Sequence, residues 1–177
     1  MGKSGKSYSV TKIVKNERPS IKDGLSFFRG VKTMINELRT CIEQKQVLLT
    51  KILNLSRQIK NQCNQPEQMN PSFLIEQRQI YLNRLKKCVD RIGLLVGKLP
   101  PQEQNRINTI LSAPSPKPIC TPEESELWDL EVKSRSLLQE ICSCDEESKK
   151  KMKEECERLR KLVNDSRSKR NNNSLYF

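Results

Sequence analysis

Apolar residues recur every three or four positions along most of this chain, and the runs they make predict helices throughout. The first run opens at Asp23 and passes through Leu25, Phe28, Val31, Met34/Ile35, Leu38, Cys41/Ile42, Leu48/Leu49, Ile52, Leu55 and Ile59. Only the region of Lys45 interrupts it, so the spacing predicts one helix over 23–63, roughly 60 Å long at 1.5 Å per residue. Gly30 is its weakest point, the place expected to fray or bend. After a polar stretch containing Pro66, Asn70-Pro71-Ser72 reads as an N-cap followed by proline at the first helical position.

The second helix, 71–98, carries the most regular seam: Leu74, Arg78, Tyr81/Leu82, Leu85, Cys88/Val89, Ile92, Leu95/Val96 and Leu99. Its stripe is wider than a dimeric coiled-coil seam, which implies packing against more than one neighbour. Gly93 and Gly97, one turn apart, would permit a close helix approach. Pro100-Pro101 ends this helix and starts a short one over 101–112, whose apolar residues are Ile107, Ile110 and Leu111. The linker 113–121 holds Pro114, Pro116 and Pro118 and is expected to run extended. Thr121-Pro122-Glu123-Glu124 is a capping box with proline and acids in the first turn, a strong start for a helix over 122–166. That seam runs through Leu127, Leu130, Leu137/Leu138 and Ile141, thins between Cys142 and Glu155, and resumes at Cys156, Leu159 and Leu162/Val163. One helix, or two meeting near Cys144, fits equally. The expected fold is therefore all-α: an elongated antiparallel bundle or hairpin of three to four helices over 22–168, between a disordered basic arm at 1–21 and a flexible tail at 169–177.

Composition narrows the function classes. Of 177 residues 34% are hydrophobic, 31% charged and only 5% aromatic, enough for one extended domain but for no apolar run of about 18 residues that could span a membrane. The start MGKSGKSYSV lacks an apolar h-region, so no secretory signal is expected and a cytoplasmic location follows. Histidine is absent, which removes the commonest general base and metal ligand. The seven cysteines are an odd number without disulfide-framework spacing and read as reduced thiols, with Cys41, Cys88 and Cys156 at apolar helical positions. Cys142, Cys144 and Cys156 contain no C-x-x-C pair and make a poor tetrahedral site. No cofactor, metal or catalytic constellation is expected.

The formal charge of +12 is uneven. Residues 1–22 hold six Lys/Arg against one acid, residues 149–177 ten against four, and residues 23–148 seventeen against sixteen. A folded middle of +1 between ends of +5 and +6 does not resemble a nucleic-acid-reading face, which spreads cations among base-contacting groups. Weak contact of the termini with nucleic acid or an anionic surface is the remaining expectation.

The segments Ile75–Ile92, Leu99–Ile107 and Leu137–Glu147, followed by a basic tail ending in Leu175-Tyr176, resemble small flagellar export chaperones of the FlgN and FliT type. The resemblance lies in element order and seam spacing across roughly residues 25–177. It implies a non-catalytic cytosolic chaperone that binds a type III export substrate, such as a hook-filament junction or cap protein, and prevents its premature assembly. It also implies a partner-binding surface on the late helix, at Leu137, Leu138, Ile141, Met152, Leu159, Leu162 and Val163. Taken on spacing alone, the same seven residues fit a bundle core somewhat better than a partner groove. The competing reading is a coiled-coil structural subunit of a cytoskeletal or chromosomal assembly, in which the long helices pair with other subunits.

Overall fold

The computed structural model describes residues 21–65, 70–114 and 120–173, with side chains between 30 and 168. The arm expected at 1–21 lies, but for its last residue, outside the described residues, as do 174–177 of the expected tail. Every described element is a helix: α1 (Ile21–Cys63), α2 (Ser72–Gly97), α3 (Pro101–Ser112) and α4 (Pro122–Asn173). α4 is a single helix of 52 residues, continuous through Cys144 and running seven residues beyond the expected end at 166. At 1.5 Å per residue it is about 78 Å long.

α1 and α2 form an antiparallel hairpin: the Cys88 thiol donates to the carbonyl of Cys41 at 3.2 Å, and farther along Lys51 sits 5.4 Å from the centre of the Tyr81 ring. α3 then wedges between α2 and α4, and the chain returns so that α4 runs in the same direction as α1. The ion pairs Lys32–Glu123, Arg39–Glu126, Lys45–Glu131, Arg57–Glu140 and Lys60–Glu147 climb both helices together. The bundle is thus antiparallel between α1 and α2, and parallel between α1 and α4.

A seven-residue repeat underlies the parallel pair. On α1 the positions Leu38, Ile42, Lys45, Leu49, Ile52, Ser56, Ile59 and Cys63 alternate in steps of four and three, and all but Lys45 are at most 5% exposed. On α4 the residues seven apart, Leu127, Ser134, Ile141 and Ser148, are buried. Such a repeat keeps one seam facing its partner over many turns. The apparent thinning of the seam after Cys142 reflects small side chains at Cys144 and Ser148; both are buried, and Ser148 donates its hydroxyl to the Cys144 carbonyl. Two apolar clusters fill the interior. At the α3 end Leu38, Ile42, Leu95, Leu99, Ile107 and Leu127 meet, whereas at the other end Leu49, Ile52 and Leu53 pack with Ile141 and Cys144, flanked by Tyr81, Leu82 and Leu85.

Local signals decide the helix ends. Both halves of the capping box form: the Thr121 amide donates to the Glu124 carboxylate at 2.7 Å and the Glu124 amide to the Thr121 hydroxyl at 3.4 Å. Pro101 stands at the first position of α3, capped by Pro100. At α2 the cap is Pro71, not Asn70, because the Pro71 carbonyl accepts from the Ile75 amide and no side chain caps the helix. Gly93 and Gly97 mediate no close approach: a Cβ on either would meet nothing within 4 Å, since both face away from the other helices.

Candidate partner-binding site

α1 ends at Cys63, and the last ion pair between the parallel helices is Lys60–Glu147, at 2.6 Å. Glu147 is the main reason the Lys60 ammonium is held above its ordinary pKa, through the hydrogen bond it accepts. Beyond this level α4 continues for roughly 35 Å, at 1.5 Å per residue, without α1 beside it. Past it the apolar seam thins, because the companion series Leu130, Leu137 and Cys144 continues as Lys151, Arg158 and Asp165. The series Leu127, Ser134, Ile141 and Ser148 extends by the same step of seven to Glu155 and Leu162, and Leu159 and Val163 flank Leu162. Leu159, Leu162 and Val163 are 47–49% exposed, and they line a shallow groove with Ser166 and Arg167.

Several polar side chains along the overhang pair within the helix. Arg158 grips Glu155 with two nitrogens, Nε to Oε2 at 2.8 Å and Nη2 to Oε1 at 2.6 Å, which lowers the Glu155 pKa. Lys151 reaches Glu154 at 3.3 Å, and the Ser166 hydroxyl donates to the Leu162 carbonyl. These contacts support an isolated helix, though each i,i+3 or i,i+4 pair is worth only about 0.2–0.5 kcal/mol.

The seven residues expected to bind a partner divide along α4. Ile141 is 6% exposed and Leu137 packs half-buried against the same cluster, so both belong to the bundle interior. Leu138 faces outward at 39%, Met152 is half-buried at the bundle edge, and Leu159, Leu162 and Val163 lie on the overhang. Two features were not anticipated. Phe73, Ile80 and Leu94 lie seven and fourteen residues apart on the outer face of α2, each more than half exposed. A shallow groove between α1 and α2 has Val47 and Leu48 in its floor and Arg84, Lys87 and Arg91 on one wall.

The seven thiols differ in burial, with Cys120 half-buried. Cys41, Cys63, Cys88 and Cys144 are buried, whereas Cys142 and Cys156 are exposed, so Cys156 is not the core residue its spacing suggested. It lies on the overhang, seven residues before Val163 and on the same face. Burial raises the thiol pKa of both Cys63 and Cys88. Among the described residues no three Cys, Asp or Glu side chains converge as metal ligands, and no helix is long and apolar enough to cross a membrane.

The described residues form an all-helical bundle whose last helix runs on past α1 with an exposed apolar stripe at Leu159, Leu162 and Val163. No family model matches the chain, and no curated protein or solved structure shows significant similarity to it.

Proposed function

We propose that this chain is a non-catalytic, cytoplasmic helical binding protein whose α4 overhang pairs with a helix of another protein. The observation that carries this reading is the half-exposed apolar stripe Leu159, Leu162 and Val163 on α4 past the end of α1, with Leu162 in register with the buried positions Leu127, Ser134, Ile141 and Ser148. An apolar stripe on a lone helix gains little from its own chain, and a second helix laid along it buries that stripe in helix-in-groove fashion. Each apolar side chain so covered contributes at most about 1.5–3 kcal/mol.

The geometry favours a coiled-coil subunit of a larger assembly over a transient chaperone, because the overhang prolongs a permanent parallel pair in the same repeat. An export chaperone remains the second reading, and the surface it would offer a client is the same. Photocrosslinking residues placed at Leu159 and Leu162 in the cell, with exposed Asn54 on α1 as control, test the proposal. One defined protein crosslinked from both overhang positions and not from Asn54 supports it, and no crosslink from either refutes it. A crosslinked protein that stays in a stoichiometric assembly identifies the subunit; one later found outside the cell identifies the chaperone.

A further inference from the structure

Charge on the two parallel helices is segregated. Among the described residues, the five ion pairs that cross from α1 to α4 each have the cation on α1 and the anion on α4. After Glu147 the sign on α4 reverses: Lys149, Lys150, Lys151 and Lys153 follow at once, and Arg158, Arg160, Lys161 and Arg167 come later. Glu154, Glu155, Glu157 and Asp165 interrupt this series, Glu154 in the same seven-residue register as Glu140 and Glu147. Lys151 and Arg158 already engage Glu154 and Glu155, however, and cations still outnumber acids eight to four over 149–168. The reversal falls at the level where α1 ends. A helix continuing α1's lane with α1's own basic flanks would therefore meet like charge, and like charges across such a pair are unfavourable.

We infer that the occupant of the overhang is an acidic amphipathic helix of a partner protein, with aliphatic residues on Leu159, Leu162 and Val163 and carboxylates flanking them toward the α4 lysines and arginines. This rests on the binding function proposed above and names the chemistry of the partner. A second copy of this chain fits poorly. It would bring the same excess of cations, and Glu155 occupies the seam position where two copies would meet.

Fluorescently labelled synthetic helices about four heptads long, sharing one leucine seam but carrying Glu or Lys at every flanking position, test this with the full-length protein. At low salt the acidic peptide should bind at least about tenfold tighter than the basic one, the gap narrowing as salt rises. The variant L159D/L162D, at exposed positions where the fold should survive by circular dichroism, should lose the acidic peptide. Replacing Lys149, Lys150, Lys151 and Lys153 by Glu should move the preference toward the basic peptide. Equal or tighter binding of the basic peptide by the parent protein overturns the acidic assignment and leaves the helix-pairing function standing. Acidic-peptide binding that survives L159D/L162D overturns it too, by showing attraction to charge without the seam. So does a duplex DNA that outcompetes the acidic peptide, or a dimer of the free protein in sedimentation that L159D/L162D abolishes. Failure of both peptides, with no crosslink from Leu159 or Leu162 in the cell, removes the binding function itself.

Discussion

Lys45 breaks the apolar run of α1, and its pairing with Glu131 offers a direct test of how the parallel helices are held. It occupies a seam position of the seven-residue repeat, where its ammonium lies 2.8 Å from both carboxylate oxygens of Glu131. The two side chains are only 13% and 14% exposed. Beside them Gln46 donates to the Leu130 carbonyl at 2.6 Å. Removing one partner of a fully buried pair costs about 3–5 kcal/mol, whereas an exposed pair is worth about 0.2–1 kcal/mol. The residual exposure here places Lys45→Met or Glu131→Leu, each alone, at about 2–3 kcal/mol, because the charge left behind is largely cut off from water. The double variant removes both charges and should return to within about 1 kcal/mol of the parent, since apolar replacement of a buried pair is often neutral. The coupling energy is then about 2 kcal/mol or more. Urea unfolding followed by circular dichroism, run as a double-mutant cycle, measures it. Arg57–Glu140, at 55% and 49% exposure, is the internal control and should couple by no more than about 0.5 kcal/mol. Single Lys45 and Glu131 variants that each cost under about 0.5 kcal/mol and add independently would show the pair to be solvent-screened, and the reasoning wrong.

Other outcomes follow from the packing. Ile107, fully buried where α3 meets the bundle, should lose about 2–5 kcal/mol on replacement by Ala, while Leu162→Ala should leave the melting temperature of the isolated protein within about 1 °C. Gly93→Ala should stabilise by up to about 1 kcal/mol, read as a higher urea midpoint, because the added methyl meets nothing; a loss would show a contact that the open face lacks. Under limiting alkylating reagent, mass spectrometry should find Cys142 and Cys156 modified first, with Cys63 and Cys88 reacting only as the bundle opens. Because burial raises the folded pKa of Cys63 and Cys88, their contribution to stability is complete below the unfolded thiol pKa of about 8.5. It is lost progressively as pH rises from there through the raised folded value, which a Cys63→Ala/Cys88→Ala comparison would detect as a flatter alkaline limb.

Features decided within one or two turns were legible from the sequence, and those set by distant partners were not. The capping box at Thr121 and the proline start of α3 depend on neighbours within four residues, and both form as read. The cap of α2 slipped by one residue because two adjacent positions offered a carbonyl and only geometry chose Pro71. Hydropathy could not show that Cys144 and Ser148 keep the α4 seam closed, since small residues carry little apolar signal while fitting between two close helices. Nor could it show that Lys45 fills its gap with Glu131, a partner 86 residues away. The division of the candidate surface, with Ile141 inside and Leu162 outside, depends on where α1 stops relative to α4, and that level is set only once the chain has passed through α2 and α3.

The parallel pairing of α1 with α4 also has a mechanical side. α1 starts below the first turn of α4, and α4 ends far above the last turn of α1, so the two free helix ends lie at opposite poles of the bundle. Tension drawn between the N-terminal end of α1 and a partner gripping the overhang would pull the two helices past each other along their common axis. All the cross-helix ion pairs and the whole apolar seam would then carry the load at once, in shear, instead of yielding one turn at a time as in a helix peeled from its end.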